Sequence, residues 1–197
     1  MATSKVEIVN VAIAFLGSDP ITDITEATNR ARTANALFDG VRDAVLRAFP
    51  WNFATKRANL PSALPAPTYG WSYSIPLPSD CLRLLSVEAG QDYDVEGRRI
   101  VSNASSLNVT YTAKITDVTL YDSLFCQALG ARLAHAMSKR VTDSDAGRDD
   151  LWEIYKAFVR EARSIDSQEG RATQVDASTW TDARVLGTTG YTQRPYA

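Results

Sequence analysis

The chain holds one histidine, His135, and two cysteines, Cys81 and Cys126, in 197 residues. Chemistry that needs clustered imidazoles or thiolates therefore has almost nothing to draw on. The cysteines fall in a strand-like and a helix-like segment without metal-type spacing, so they read as buried free thiols rather than a disulfide or redox pair. His135, flanked by Ala134 and Ala136, reads as a structural or surface histidine. The sequence also lacks a Gly-rich phosphate loop ending in Lys-Ser/Thr, a GxGxxG, an HExxH, a CxxC and a GxSxG elbow. The expectation is a protein without cofactor or metal.

An excess of positive charge is missing as well. Lys plus Arg total 21 against 23 for Asp plus Glu, a net charge of −2, which gives no general attraction to polyphosphate. Lys56-Arg57 and Arg98-Arg99 are too short to be basic patches. No run approaches the roughly 18 consecutive apolar residues that span a bilayer. The start, MATSKVEIVN, lacks the basic-then-apolar pattern of a signal peptide, so the expected product stays in the cytoplasm where it is made. Without a secretory route the sequons Asn103-Ala104-Ser105 and Asn108-Val109-Thr110 read as chance matches.

What the sequence does contain is ordinary globular material, 45% hydrophobic and 22% charged, enough for one core. Ser4 and Glu7 have the spacing of a capping box, and Val6, Val9, Ile13 and Leu16 recur at helical spacing until Gly17. Thr25 is the expected N-cap of a second, long helix, whose stripe runs through Ala27, Ala31, Ala34, Phe38, Val41, Val45 and Ala48. That helix must stop near Phe49-Pro50, because the residue before proline disfavours the helical conformation.

Pro61, Pro65 and Pro67 make residues 59 to 70 an expected connector without ladder hydrogen bonds. Residues 71 to 115 alternate and should form one small antiparallel sheet, with a hairpin turning at Glu96-Gly97. Helical periodicity returns near 119 to 140, and again after Thr142-Asp143-Ser144-Asp145, where Asp149 and Asp150 suit the positive end of a helix dipole. Residues 170 to 197 carry only scattered large apolar residues, too few for a core.

The expected fold class is α+β. Residues 3–58 and 118–168 form a four-helix bundle, interrupted by an inserted small antiparallel β region at 59–117, and 169–197 form an extended C-terminal arm. Trp51, Phe53, Tyr69, Trp71 and Tyr73 should pack where bundle meets sheet, or else face a neighbouring subunit. Glu7, Glu26, Asp39, Asp43 and Glu153 are the carboxylates that a glycan hydrolase would draw on, and each reads as a solvated or ion-paired side chain.

Four segments in order carry a resemblance: residues 12–17 (AIAFLG), 41–54 (VRDAVLRAFPWNFA), 73–84 (YSIPLPSDCLRL) and 124–137 (LFCQALGARLAHAM). Together they resemble the tail tubular protein A family, the head-to-tail adaptors (gatekeepers or connectors) of short-tailed podovirus-type bacteriophages. The resemblance implies a structural, non-enzymatic subunit of the virion tail. It would form a homo-dodecameric ring beneath the portal protein, with a tail nozzle of the tail tubular protein B type below. DNA would pass through the channel without specific binding, and no membrane partner is implied.

It further implies that Pro50, Trp51, Asn52 and Phe53 are an architectural helix exit, and that Pro78 and Asp80 shape a strand entry where Asp80 bonds the following backbone. In the arm, Trp180, Tyr191, Arg194 and Tyr196 are the expected contacts with the portal or an adjacent subunit. The competing expectation is a tail-associated cell-wall or capsule glycan hydrolase.

Overall fold

The first three helices of this chain begin where a short polar side chain replaces a missing backbone acceptor. A computed structural model describes residues 4–142 and 147–169, and in it Ser4 Oγ accepts the Glu7 N–H at 3.2 Å to open α1, Lys5–Phe15. Helix α2 spans Asn29–Ala48, α3 Ser123–Thr142 and α4 Arg148–Glu169. Asp122 opens α3, its carboxylate taking the N–H groups of Leu124 and Phe125 at 2.8 and 3.3 Å. Asp149 and Asp150 lie in the first turn of α4, as the dipole argument expects.

The start of α2 differs from expectation. Thr28, not Thr25, is the N-cap, its side chain accepting the Ala31 N–H at 3.3 Å. Thr25 is instead held by Asp23, which takes both its N–H and its hydroxyl, while Glu26 takes the N–H groups of Thr22 and Asp23. This stretch satisfies its polar groups locally, and so the helix starts only beyond it.

The β region contains two three-stranded antiparallel sheets rather than one. Strands β1 (Thr55–Pro61), β3 (Cys81–Val87) and β6 (Ser106–Ala113) form the first, in the order β1-β6-β3. Strands β2 (Tyr73–Pro76), β4 (Tyr93–Glu96) and β5 (Arg99–Ser102) form the second, in the order β2-β5-β4. The expected ladder-free connector is therefore wrong over its first residues. Asn59, Leu60 and Pro61 pair with Asn108, Leu107 and Ser106, and Pro61 is tolerated as the last residue of an edge strand. Gly97, at φ 61°, takes the first central position of the two-residue β4–β5 turn, where the mirror-image hairpin turns require positive φ.

Alternation on β6 sends Leu107, Val109, Tyr111 and Ala113 into the core, continuous with Ile75 and Ile100 of the second sheet and with the helical core. Both α1 and α2 pack on α3. At the α1–α3 crossing Gly130 leaves no room for a side chain, because a Cβ there would stand 2.6 Å from Val11 Cγ1. The described residues up to Ser167 form one compact unit. Among the described residues the architecture is α+β, four α-helices with an inserted antiparallel β region. The arm expected over 169–197 lies, apart from Glu169 at the end of α4, outside the described residues.

Candidate functional site at the aromatic junction

Proline decides where the junction forms. Phe49, ahead of Pro50, is extended at φ −143° and ψ 149°, which ends α2 and turns the chain into a short 3₁₀ turn at Asn52–Ala54. The turn drives Trp51 inward until only 1% of it is exposed. Its indole Nε1–H donates to the Val45 carbonyl at 3.1 Å, closing one of the open acceptors at the end of α2. The ring meets Phe125 edge-on, with centroids 5.2 Å apart and planes at 78°. Phe53 meets Phe125 likewise at 5.0 Å, and Tyr121 closes the group at 5.0 Å from Phe125. Edge-to-face contact puts the positive rim of one ring on the negative face of the next.

Tyr121 donates its hydroxyl to the Ile115 carbonyl at 2.7 Å, and burial pushes its pKa up to about 12. Asn52 ties the exit to α4, its N–H donating to the Asp166 carboxylate at 3.0 Å and its amide to the Asp166 carbonyl. On α4 the Arg163 guanidinium sits 4.6 Å from the Phe49 ring centroid.

The strand entry is assembled differently from its expectation. The Asp80 carboxylate does not bond the backbone that follows it. It accepts from Lys56 Nζ at 2.8 Å and from the Tyr111 hydroxyl at 3.2 Å, because β1 and β6 bring those groups beside it. The Lys56 hydrogen bond holds the Asp80 carboxyl below its usual range. The Asp80 carbonyl, for its part, receives the Lys114 N–H. Pro78 caps the turn by accepting the Cys81 N–H at 3.0 Å, and Arg98 donates to the Pro78 and Ser79 carbonyls at 2.7 and 3.2 Å.

The five aromatic residues read together in the sequence divide. Trp51 and Phe53 pack into the junction, whereas Tyr69 is 88% exposed and Tyr73 38%, both in the β region. Tyr121, Phe125 and Phe49 complete the cluster in place of Tyr69, Trp71 and Tyr73. Tyr121 and Phe125 both fall in the stretch expected to be helical, but nothing local marked them as neighbours of Trp51 and Phe53.

The carboxylates occupy structural positions. Asp39 and Asp43 hold the Arg42 guanidinium at 2.9 and 2.7 Å, and Lys114 joins Asp43 at 3.0 Å. Glu153 pairs with Lys156 at 2.6 Å, and Glu26 is consumed by the turn ahead of α2. Arg132 Nη1 stands 2.9 Å from His135 Nδ1, which must accept because a guanidinium has only donors. The imidazole also lies 5.2 Å from the Trp152 ring. Burial first, and then the charge of Arg132, lower the His135 pKa.

Cys81 and Cys126 are buried thiols not joined in a disulfide, and burial raises the Cys81 thiol. Among the described residues no group of three or more His, Cys, Asp or Glu side chains gathers around a point where a metal could sit. No helix among them is long and apolar enough to cross a membrane. Trp180, Tyr191, Arg194 and Tyr196 lie outside the described residues. No protein-family model matches the sequence, and no curated protein matches it.

Proposed function

We propose that the chain is a structural ring subunit of a short-tailed bacteriophage, an adaptor seated in the virion between the portal protein and the tail nozzle. The observation that carries this reading is the ordered set of four segments, at 12–17, 41–54, 73–84 and 124–137, that resemble the tail tubular protein A family. Contacts among those segments support it. Gly130 is pressed against Val11 and Ala12, Trp51 against Phe125, and Arg47 donates to the Leu82 carbonyl. Segments distant in the chain thus converge on one unit held by packing and capping, which suits an architectural part.

The work of such a subunit is mechanical. A closed ring of identical copies repeats one heterologous interface by rotation, and the portal templates it. A net charge of −2 suits a channel through which DNA slides, since each Lys or Arg bound to phosphate adds salt-dependent grip.

The full-length chain mixed with its cognate portal protein should give portal particles with a ring added at one end in negative-stain images. Portal particles left bare would overturn the reading. So would release of reducing ends from wall or capsule glycan that one Asp or Glu substitution abolishes without unfolding the chain.

A further inference from the structure

Strand β4, Tyr93–Glu96, is the outermost strand of the second sheet and is exposed along its whole length. Antiparallel pairing points the backbone groups of alternate residues toward and away from the neighbouring strand. Glu96 stands opposite Arg99 across the two-residue turn, so Glu96 and Asp94 bond β5, while Tyr93 and Val95 turn their N–H and C=O groups to the free edge. The other side of β5 keeps the same phase. Leu77 N–H donates to the Arg98 carbonyl at 3.0 Å, and Pro76, which has no N–H, falls opposite Arg99 where none is required.

The remaining edges carry devices that discourage pairing. β1 holds Lys56 and Arg57 and ends in Pro61, β2 is bridged by Leu64 to Ser74, and β3 has two register shifts. β4, four residues long, has neither proline nor bulge, and its charges, Asp94 and Glu96, are both negative, so they discourage an acidic strand and not a basic one.

Its side chains describe what fits. Asp94 and Glu96 occupy one face and Tyr93 and Val95 the other, the latter pair 38% and 49% exposed. Arg99 engages Glu96 at 2.9 Å, whereas Asp94 has no ion pair among the described residues. On the acidic face a groove of about 600 Å³ runs between Asp94, Glu96 and Arg99 and a wall that includes Pro65, Tyr69 and Trp71. Aromatic rings attract cations to their faces. A second copy laid antiparallel on the same edge would set carboxylate against carboxylate, which is repulsive.

We infer that β4 is an acceptor edge for an extended segment of a partner protein that alternates lysine or arginine with apolar residues. The added strand bonds the Tyr93 and Val95 backbone, places its cations over Asp94 and the aromatic wall, and lays its apolar side chains on Tyr93 and Val95. The inference rests on the sheet edge alone and not on the ring reading.

Amide hydrogen exchange of the full chain tests it, with a blocked peptide alternating lysine and valine as the probe. The expected result is slowed exchange at Tyr93 and Val95, with little change at Asp94 and Glu96, whose amides are already bonded. Val95→Pro, which removes an outward N–H and no ladder bond, should abolish the protection. Asp94→Lys should weaken binding roughly tenfold while leaving the hairpin intact. Equal protection by a glutamate–valine peptide would overturn the inference, as would protection of Tyr93 persisting in Val95→Pro. Concentration-dependent protection without peptide would do the same, by making a second copy the occupant.

Discussion

Trp51 shows how one side chain can hold two kinds of structure at once. Its ring belongs to the core, and its N–H serves the end of a helix at Val45. Trp51→Phe keeps most of the apolar area and leaves the Val45 carbonyl without its donor, so denaturant melts should show a loss of about 1–3 kcal/mol. Trp51→Ala empties the space as well and should cost about 3–5 kcal/mol. His135 predicts a different signature. Burial and the charges of Arg132 and Arg148 disfavour its protonated form in the fold, with Asp149 partly opposing them. The folded chain therefore binds this proton less readily than the unfolded chain. The corresponding stability is complete above the ordinary value of 6.5 and is lost as pH falls below it toward the lowered folded value. Melting temperatures measured from about pH 7.5 to about pH 5 should decline, and His135→Gln should flatten that decline. An unchanged slope in the variant would place the titration elsewhere.

At the scale of elements, legibility followed the distance over which the deciding interaction acts. Helices α1 and α4 were readable because the signals that start them are local, whereas α3 starts at Ser123 and not near 119, because Val118–Leu120 forms a separate 3₁₀ turn and Asp122 caps the helix. The start of α2 was misplaced because Thr25 and Thr28 are equally good caps in isolation, and only the bonds from Asp23 and Glu26 remove the first. Thr28→Ala should therefore cost about 1 kcal/mol in helix and protein stability, while Thr25→Ala should cost clearly less, as paired thermal melts would show. Strand β1 was hidden because its partner β6 lies beyond the whole second sheet, and Pro61 argued locally against a ladder. Register was out of reach for the same reason. The expected role of Asp80 failed with it, since Lys56 becomes its neighbour only once β1 has a place.

Over the whole molecule, the α+β class, the helix exit at Pro50 and the β4–β5 hairpin were legible, although its two-residue turn is Gly97-Arg98 and not Glu96-Gly97, and the division of the β region into two sheets was not. The resemblance to an adaptor family rests on short segments, and the junction that unites them could not be drawn without the tertiary contacts of Trp51, Phe125 and Gly130. On the adaptor proposal the residues after Glu169 supply partner contacts through Trp180, Tyr191, Arg194 and Tyr196. A chain truncated after Glu169 should keep a cooperative thermal unfolding transition and attach poorly to portal in co-sedimentation. Normal attachment would remove the contacts from that segment.

The packing of α1 and α2 on α3 also sets an order of events during synthesis. Both N-terminal helices leave the ribosome before the element that covers them exists, and the β region is made in between. The hairpin β4–β5 needs only its own turn and can form early, whereas β1 must wait for β6 and the two helices must wait for Ser123–Thr142. For most of its time on the ribosome the growing chain therefore carries uncovered apolar stripes, and the folding of its first quarter is decided by residues translated past its midpoint.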